Sequence, residues 1–268
     1  MKIFGMHYRF VLGAVFCALI LSACASQSTL EGPKNDGLSG TESMDKQKRA
    51  AIRMQLAIDY YQQGQQKVAL EEIKQALISS PDMVDAYNVR GLIFMDMGEK
   101  QLAEDNFVYA LKLAPNNPDV AQNYGWFLCQ NGRERQAMPY FDLALKDSKY
   151  TGVSKTLSTA GICSLRLKDT VAAERYFMLA FRADPGNPSV NVNLAKMLYE
   201  RGDVEKAHFY IERMVKAEVL TPEVLWLAIK IENKRGDKLS VSSLATQLRR
   251  RYPDSKEYDL LQRGAFNE

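Results

Sequence analysis

The sequence predicts an all-α solenoid, a stack of six helix-turn-helix units recurring at 34-residue steps. Three observations predict it. Small and aromatic residues return in one register, most cleanly as Tyr87, Gly91, Phe94, Ala103, Phe107, Ala110 and Pro115. Turn-forming pairs fall where the first helix of each unit should stop: Gln63-Gly64, Met97-Gly98, Asn131-Gly132, Lys168-Asp169, Arg201-Gly202 and Arg235-Gly236. Proline closes most units, at Pro81, Pro115, Pro185 and Pro253, because it disfavours helical geometry in the residue before it and lacks an N–H donor.

The units follow in order. Residues 50–83 place Leu56, Ala57, Tyr60, Ala69, Ile73 and Ala76 on the repeating positions, and residues 84–117 form the cleanest copy, with Arg90 as its one departure. Residues 118–151 supply Tyr124, Gly125, Leu128, Ala137, Phe141 and Ala144, but Lys149 stands where Pro is expected, and Gly152 and Val153 are extra. Residues 154–187 resume the register with Leu157, Gly161, Ala173, Phe177 and Ala180. Residues 188–221 match less well, with Val219 in place of the closing Pro, and residues 222–255 match least. Gly at the eighth position and Ala at the twentieth and twenty-seventh let helices approach where larger residues would collide. The pattern resembles the tetratricopeptide signature, which implies a right-handed superhelix with a concave face.

Composition allows a fold without metals. With 268 residues, 46% apolar and 25% charged, the chain has ample core-forming material. Setting aside Lys2 and Arg9 of the first 24 residues leaves 33 bases against 32 acids, so nothing supports nucleic-acid binding, which shows as a strongly basic face.

Residues 1–23 read as a signal peptide. Lys2 and Arg9 precede an unbroken apolar or small run from Phe10 to Leu21, which at 12 residues is too short to cross a bilayer that takes about 20. Leu21-Ser22-Ala23-Cys24 resembles the lipobox of bacterial lipoproteins, which implies diacylglycerol and an N-acyl group on Cys24; the alternative is an ordinary secretory signal that contains a Cys. Ala25, where an Asp would suggest inner-membrane retention, implies by the same resemblance an outer-membrane, periplasm-facing, lipid-anchored protein. Residues 24–45, rich in Ser, Thr, Gly and Asn, are expected to be a lipidated flexible tether with a reach of roughly 25 Å. Residues 46–268 are expected to hold the six-repeat solenoid and a C-terminal capping segment.

Of four cysteines, Cys129 and Cys163 remain in the solenoid, on the first helices of consecutive repeats. In an oxidising compartment such a pair is expected to bridge, with two unconnected buried thiols as the alternative.

No catalytic motif appears: His208 is the sole histidine after residue 24, and no HExxH, GxSxG, Walker-type loop or clustered metal ligands are present. No catalytic residue, metal, cofactor or small-molecule substrate is expected, and Asp and Glu are expected on solvent-facing positions. Recognition is left. In the repeat family, positions two, five, nine, twelve and thirteen of the first helix line the groove. They place Met54, Ile58, Tyr61, Asn88, Leu92, Met95, Gln122 and Trp126 there as an apolar protein-binding floor, unless these residues pack on one another. The positions that a carboxylate clamp needs as Lys and Asn are not so filled. Lys155, Arg166, Lys196, Glu200, Trp226, Lys230 and Lys234 make a more charged second half.

The lipobox, polar tether, six repeats, Asn123-Tyr124-Gly125-Trp126-Phe127-Leu128-Cys129 and Ala160-Gly161-Ile162-Cys163 together resemble the type IV pilus biogenesis and stability lipoproteins, the pilotins of the pilus secretin. That resemblance implies a non-enzymatic protein that binds a secretin subunit and brings it to the outer membrane, where it multimerises for pilus biogenesis and twitching motility. The rival reading is a general outer-membrane repeat scaffold in β-barrel assembly or peptidoglycan-enzyme control.

Overall fold

The computed structural model describes residues 38–266, and the chain divides into two compact units, 1–45 and 46–268. The expected signal peptide, the expected lipidation site Cys24 and the expected tether up to residue 37 lie outside the described residues. Within the first unit, residues 38–45 are helical, the start of α1 (Leu38–Gln62), so the stretch expected to be tether is ordered over its last eight residues. No Pro follows Pro33 until Pro81, and the Lys46–Ala51 run of helix formers lets the helix extend backwards.

In the second unit the described residues are helical, with no strand. Six hairpins pair α1 with α2 (Gln66–Ser79), α3 (Val84–Asp96) with α4 (Lys100–Leu113), α5 (Pro118–Gln130) with α6 (Glu134–Ala144), α7 (Val153–Arg166) with α8 (Thr170–Ala183), α9 (Pro188–Arg201) with α10 (Val204–Lys216), and α11 (Pro222–Arg235) with α12 (Lys238–Arg251). A short α13 (Lys256–Gln262) packs on α11 and α12 and buries Leu260.

Helix ends follow sequence chemistry. Asn117, Asn187 and Thr221 each accept an amide hydrogen bond with their side chain and are followed by Pro at the first helical position, whose missing donor costs nothing there. Ser80, Ala114, Asp184 and Tyr252 leave helical geometry directly before Pro81, Pro115, Pro185 and Pro253. Between the helices of a hairpin the chain passes through a left-handed residue, a Gly in five hairpins and Lys168, at φ 61°, in the fourth. Where Val219 replaces Pro, Glu218 at φ 56° ends the helix instead.

One contact recurs inside the hairpins. A Cβ placed on Gly91, Gly125 or Gly161 would lie 2.7, 2.8 or 2.8 Å from the ring of Phe107, Phe141 or Phe177 on the partner helix. These Phe rings are fully buried. The flanking hairpins trade volume at the same two positions: Ala57 with Ile73, Ala195 with Ile211, and Ile229 with Ala245. The pair keeps its combined size close to constant, as dense packing demands.

The break in register after the third repeat is filled by Tyr150. It is buried with Ala121 and Ala144, and its hydroxyl lies 3.0 Å from Thr156 Oγ1. Gly152 is needed because any Cβ would strike the Tyr150 ring and hydroxyl. Next to this junction, Cys129 of α5 and Cys163 of α7 are joined by a disulfide with Cα atoms 5.9 Å apart. Small buried residues of α7, Thr156, Ser158, Thr159, Ala160 and Ser164, permit that approach, and Thr159 and Ser164 turn their hydroxyls back to carbonyls one turn earlier.

Two consensus expectations need correction. Leu56 is 37% exposed, with no described residue N-terminal to α1 packed against it. Not every acid faces solvent: Glu232 of α11 is buried, paired with Arg235 (2.8 Å) and with His208 Nδ1 of α10 (2.6 Å), so these three side chains tie two hairpins together.

Helix propensity alone favours Gly91→Ala by about 1 kcal/mol, yet the Phe107 ring should turn it into a loss of roughly 1 to 3 kcal/mol. Adding Phe107→Ile, which copies the Ala57–Ile73 pair, should recover part of that loss; urea melts of both single variants and the double variant read the coupling, and additive effects would refute the volume trade. Cys129→Ser with Cys163→Ser should cost about 4 kcal/mol for a loop of this length, and thiol titration of denatured, unreduced protein should find this pair unreactive.

Candidate recognition surface

The face built from the odd-numbered helices carries two recesses. Near the N-terminal end, Met54 and Ile58 of α1, Asp85, Asn88 and Val89 of α3, and Asp119 and Asn123 of α5 line a cavity of ≈ 390 Å³ with Met83. It is not the apolar floor that the sequence predicts. Met54 is 5% exposed and Asn88 is buried, where it accepts a hydrogen bond from Asn123 Nδ2 at 3.0 Å. Asp85 and Asp119 give the recess an acidic edge. Gln122 drops out altogether: it is 2% exposed, because α5 has neighbours on both sides and nearly every residue from Val120 to Cys129 is buried.

Five of the eight candidate groove residues retain accessible surface: Ile58, Tyr61, Leu92, Met95 and Trp126. Leu92, Met95 and Trp126 rest partly on the core, and Ile58 and Tyr61 rest on the smaller cluster under α1 and α3. Tyr61 donates to Asp96 Oδ2 at 2.5 Å, linking α1 to α3. Burial, then this bond and the Asp96 charge, push the Tyr61 hydroxyl well above its ordinary pKa. The guanidinium of Arg166 lies 5.6 Å from the Trp126 ring centre and donates to the Cys129 carbonyl at 2.9 Å, so Arg166 supports the groove wall. Lys155 is held below its ordinary pKa by burial, partly offset by Asp119.

Toward the C-terminal end, Lys196, Glu200, Trp226, Lys230 and Lys234 line a second cavity of ≈ 620 Å³ together with Tyr199 and Phe266. Asp85, Asp119, Asp96 and Tyr199 occupy the same groove-lining positions two, thirteen and twelve, so the repeat numbering locates them once polar residues are counted alongside apolar ones. Phe266 lies beyond the last repeat, where periodicity carries no signal.

A family profile for the tetratricopeptide repeat matches residues 54–118. "Type IV pilus assembly protein PilF" of Pseudomonas aeruginosa is 29% identical over 209 residues, 78% of this chain and 83% of that protein. A solved structure of P. aeruginosa PilF superposes with a TM-score of 0.76 at 27% identity, over 82% of this chain and 99% of that one. The crystal structure of PilW, described as a widely conserved type IV pilus biogenesis factor, gives a TM-score of 0.72 at 30% identity, over 80% of this chain and 98% of that one. The chain belongs to the tetratricopeptide-repeat family and is a homologue of PilF and PilW. Tetratricopeptide-repeat proteins mediate protein–protein interaction; among the described residues no cluster of three or more His, Cys, Asp or Glu could hold a metal.

The Asn88–Asn123 bond marks Asn88 as structural. Asn88→Leu strands a buried donor on Asn123 and should cost roughly 1 to 3 kcal/mol in a urea melt, against a near-neutral result if Asn88 were free to serve a partner.

Proposed function

We propose that this protein is an outer-membrane lipoprotein of type IV pilus biogenesis that binds secretin subunits and promotes their localisation and multimerisation. The observation that carries the reading is the similarity to PilF and PilW, which spans nearly their whole length and most of this chain. The lipobox ending at Cys24 supports the membrane address, and Ile58, Tyr61, Leu92, Met95 and Trp126 supply the apolar and aromatic contacts that a protein client would use. Recognition takes place on the solenoid, and Cys24 delivers the bound subunit to the membrane.

Deletion of the protein should abolish twitching motility and leave the secretin monomeric; normal secretin multimers in the deletion strain would reject the reading in favour of a general envelope scaffold. Cys24→Ser should leave a folded body whose client no longer reaches the outer membrane. Leu92→Glu with Met95→Glu should reduce secretin recovered in a pulldown by roughly tenfold or more, with the helical circular-dichroism spectrum retained.

A further inference from the structure

The C-terminal cavity already holds one of the chain's own side chains. Phe266, which follows the last helix, stacks on Trp226 of α11 with ring centres 5.6 Å apart and planes 27° apart. Val192, Tyr199 and Leu227 line the same cavity, so the ring enters an apolar setting. Trp226 is 5% exposed, whereas Phe266 keeps part of its surface open.

The backbone aims that ring. The chain reverses after α13 at Gly264, which is left-handed at φ 65°, with Gly264 N–H donating to the Leu261 carbonyl at 3.1 Å and Ala265 N–H to that of Leu260 at 3.0 Å. Phe266 N–H then donates to the Gly264 carbonyl at 2.9 Å, a three-residue turn. These three bonds lie within residues 260–266 and shape the segment without tying it to α11; the half-buried Ala265 and the ring stack hold it against the core. A single ring stack is a modest contact, so another aromatic ring can compete for it.

We propose that Phe266 is a tethered lid on an aromatic-binding subsite: it covers the face of Trp226 and swings out at the Gly264 turn to admit an aromatic side chain of a peptide partner. The class of occupant is read from the side chain that fills the subsite, an aromatic ring on non-helical backbone. Lysines and glutamates both line the cavity, so the ring and not a charge defines what fits. The lid does not depend on the pilus reading.

The chain has two tryptophans, so a Trp126→Phe background leaves Trp226 as the reporter in the full chain. In that background Phe266→Ala should raise acrylamide quenching of Trp226 fluorescence, with the helical circular-dichroism spectrum retained. N-acetyl-phenylalanine amide should move the ¹⁵N-indole signal of this variant at concentrations about tenfold lower than it needs with the lid intact, since a lid closed about nine-tenths of the time weakens a competitor by that factor. N-acetyl-leucine amide should bind the variant more weakly than the aromatic probe. Gly264→Ala keeps the ring but strains the left-handed turn, and should fall between the two proteins. If Phe266→Ala loses helix, the Gly264→Ala comparison decides alone. Unchanged quenching, equal binding of the aromatic probe with and without the Phe266 ring, equal binding of the leucine probe, or a Gly264→Ala protein that behaves like its parent would each overturn the proposal.

Discussion

The structure depends on how closely the two helices of a hairpin can approach. Three times a glycine on the first helix receives the ring of a phenylalanine on the second, with no room for even a methyl group between them. That contact sets the spacing of the hairpin, and the spacing decides where the flanking alanines of the second helix, such as Ala103 and Ala110, meet the next unit. The first, fifth and sixth hairpins reach a similar total volume by other splits, so they stack although the fifth and sixth match the repeat less well by residue type. Pair volume, more than the identity of either residue, is conserved along the stack.

This packing leaves the partly open surface between hairpins to the odd-numbered helices. Their buried faces are committed to neighbours, and in α5 the commitment is nearly complete, with Trp126 as the one partly open side chain between Val120 and Cys129. The groove is accordingly discontinuous. An N-terminal recess of mixed acidic and apolar character, which reaches as far as Asp119 and Asn123 of α5, and a C-terminal cavity of lysines, glutamates and aromatics that begins at α9 have no lining residue in common.

The hairpins, their turns and their closing prolines were legible in the sequence because each rests on a local cause: a small residue, a left-handed turn, a fixed proline φ. The groove was legible only in part. Position in the repeat tells which helix face a residue occupies, but burial also depends on how many neighbours the helix has, so Gln122 and Asn88 are buried while Leu56, on the first described helix, is exposed. Tyr150 and Phe266 fall in a register break and beyond the last repeat, where no periodic signal exists, and Glu232 takes its buried place through His208 and Arg235, partners that sequence spacing does not reveal.

The Cys129–Cys163 disulfide lies beside the one place where the step between units is irregular. Solenoids behave as springs, yielding through small changes of rotation at each junction. A covalent tie at the junction with the least regular packing stiffens the spring where it would otherwise bend first. The two recesses on either side are thereby held at a set separation, like marks on a ruler.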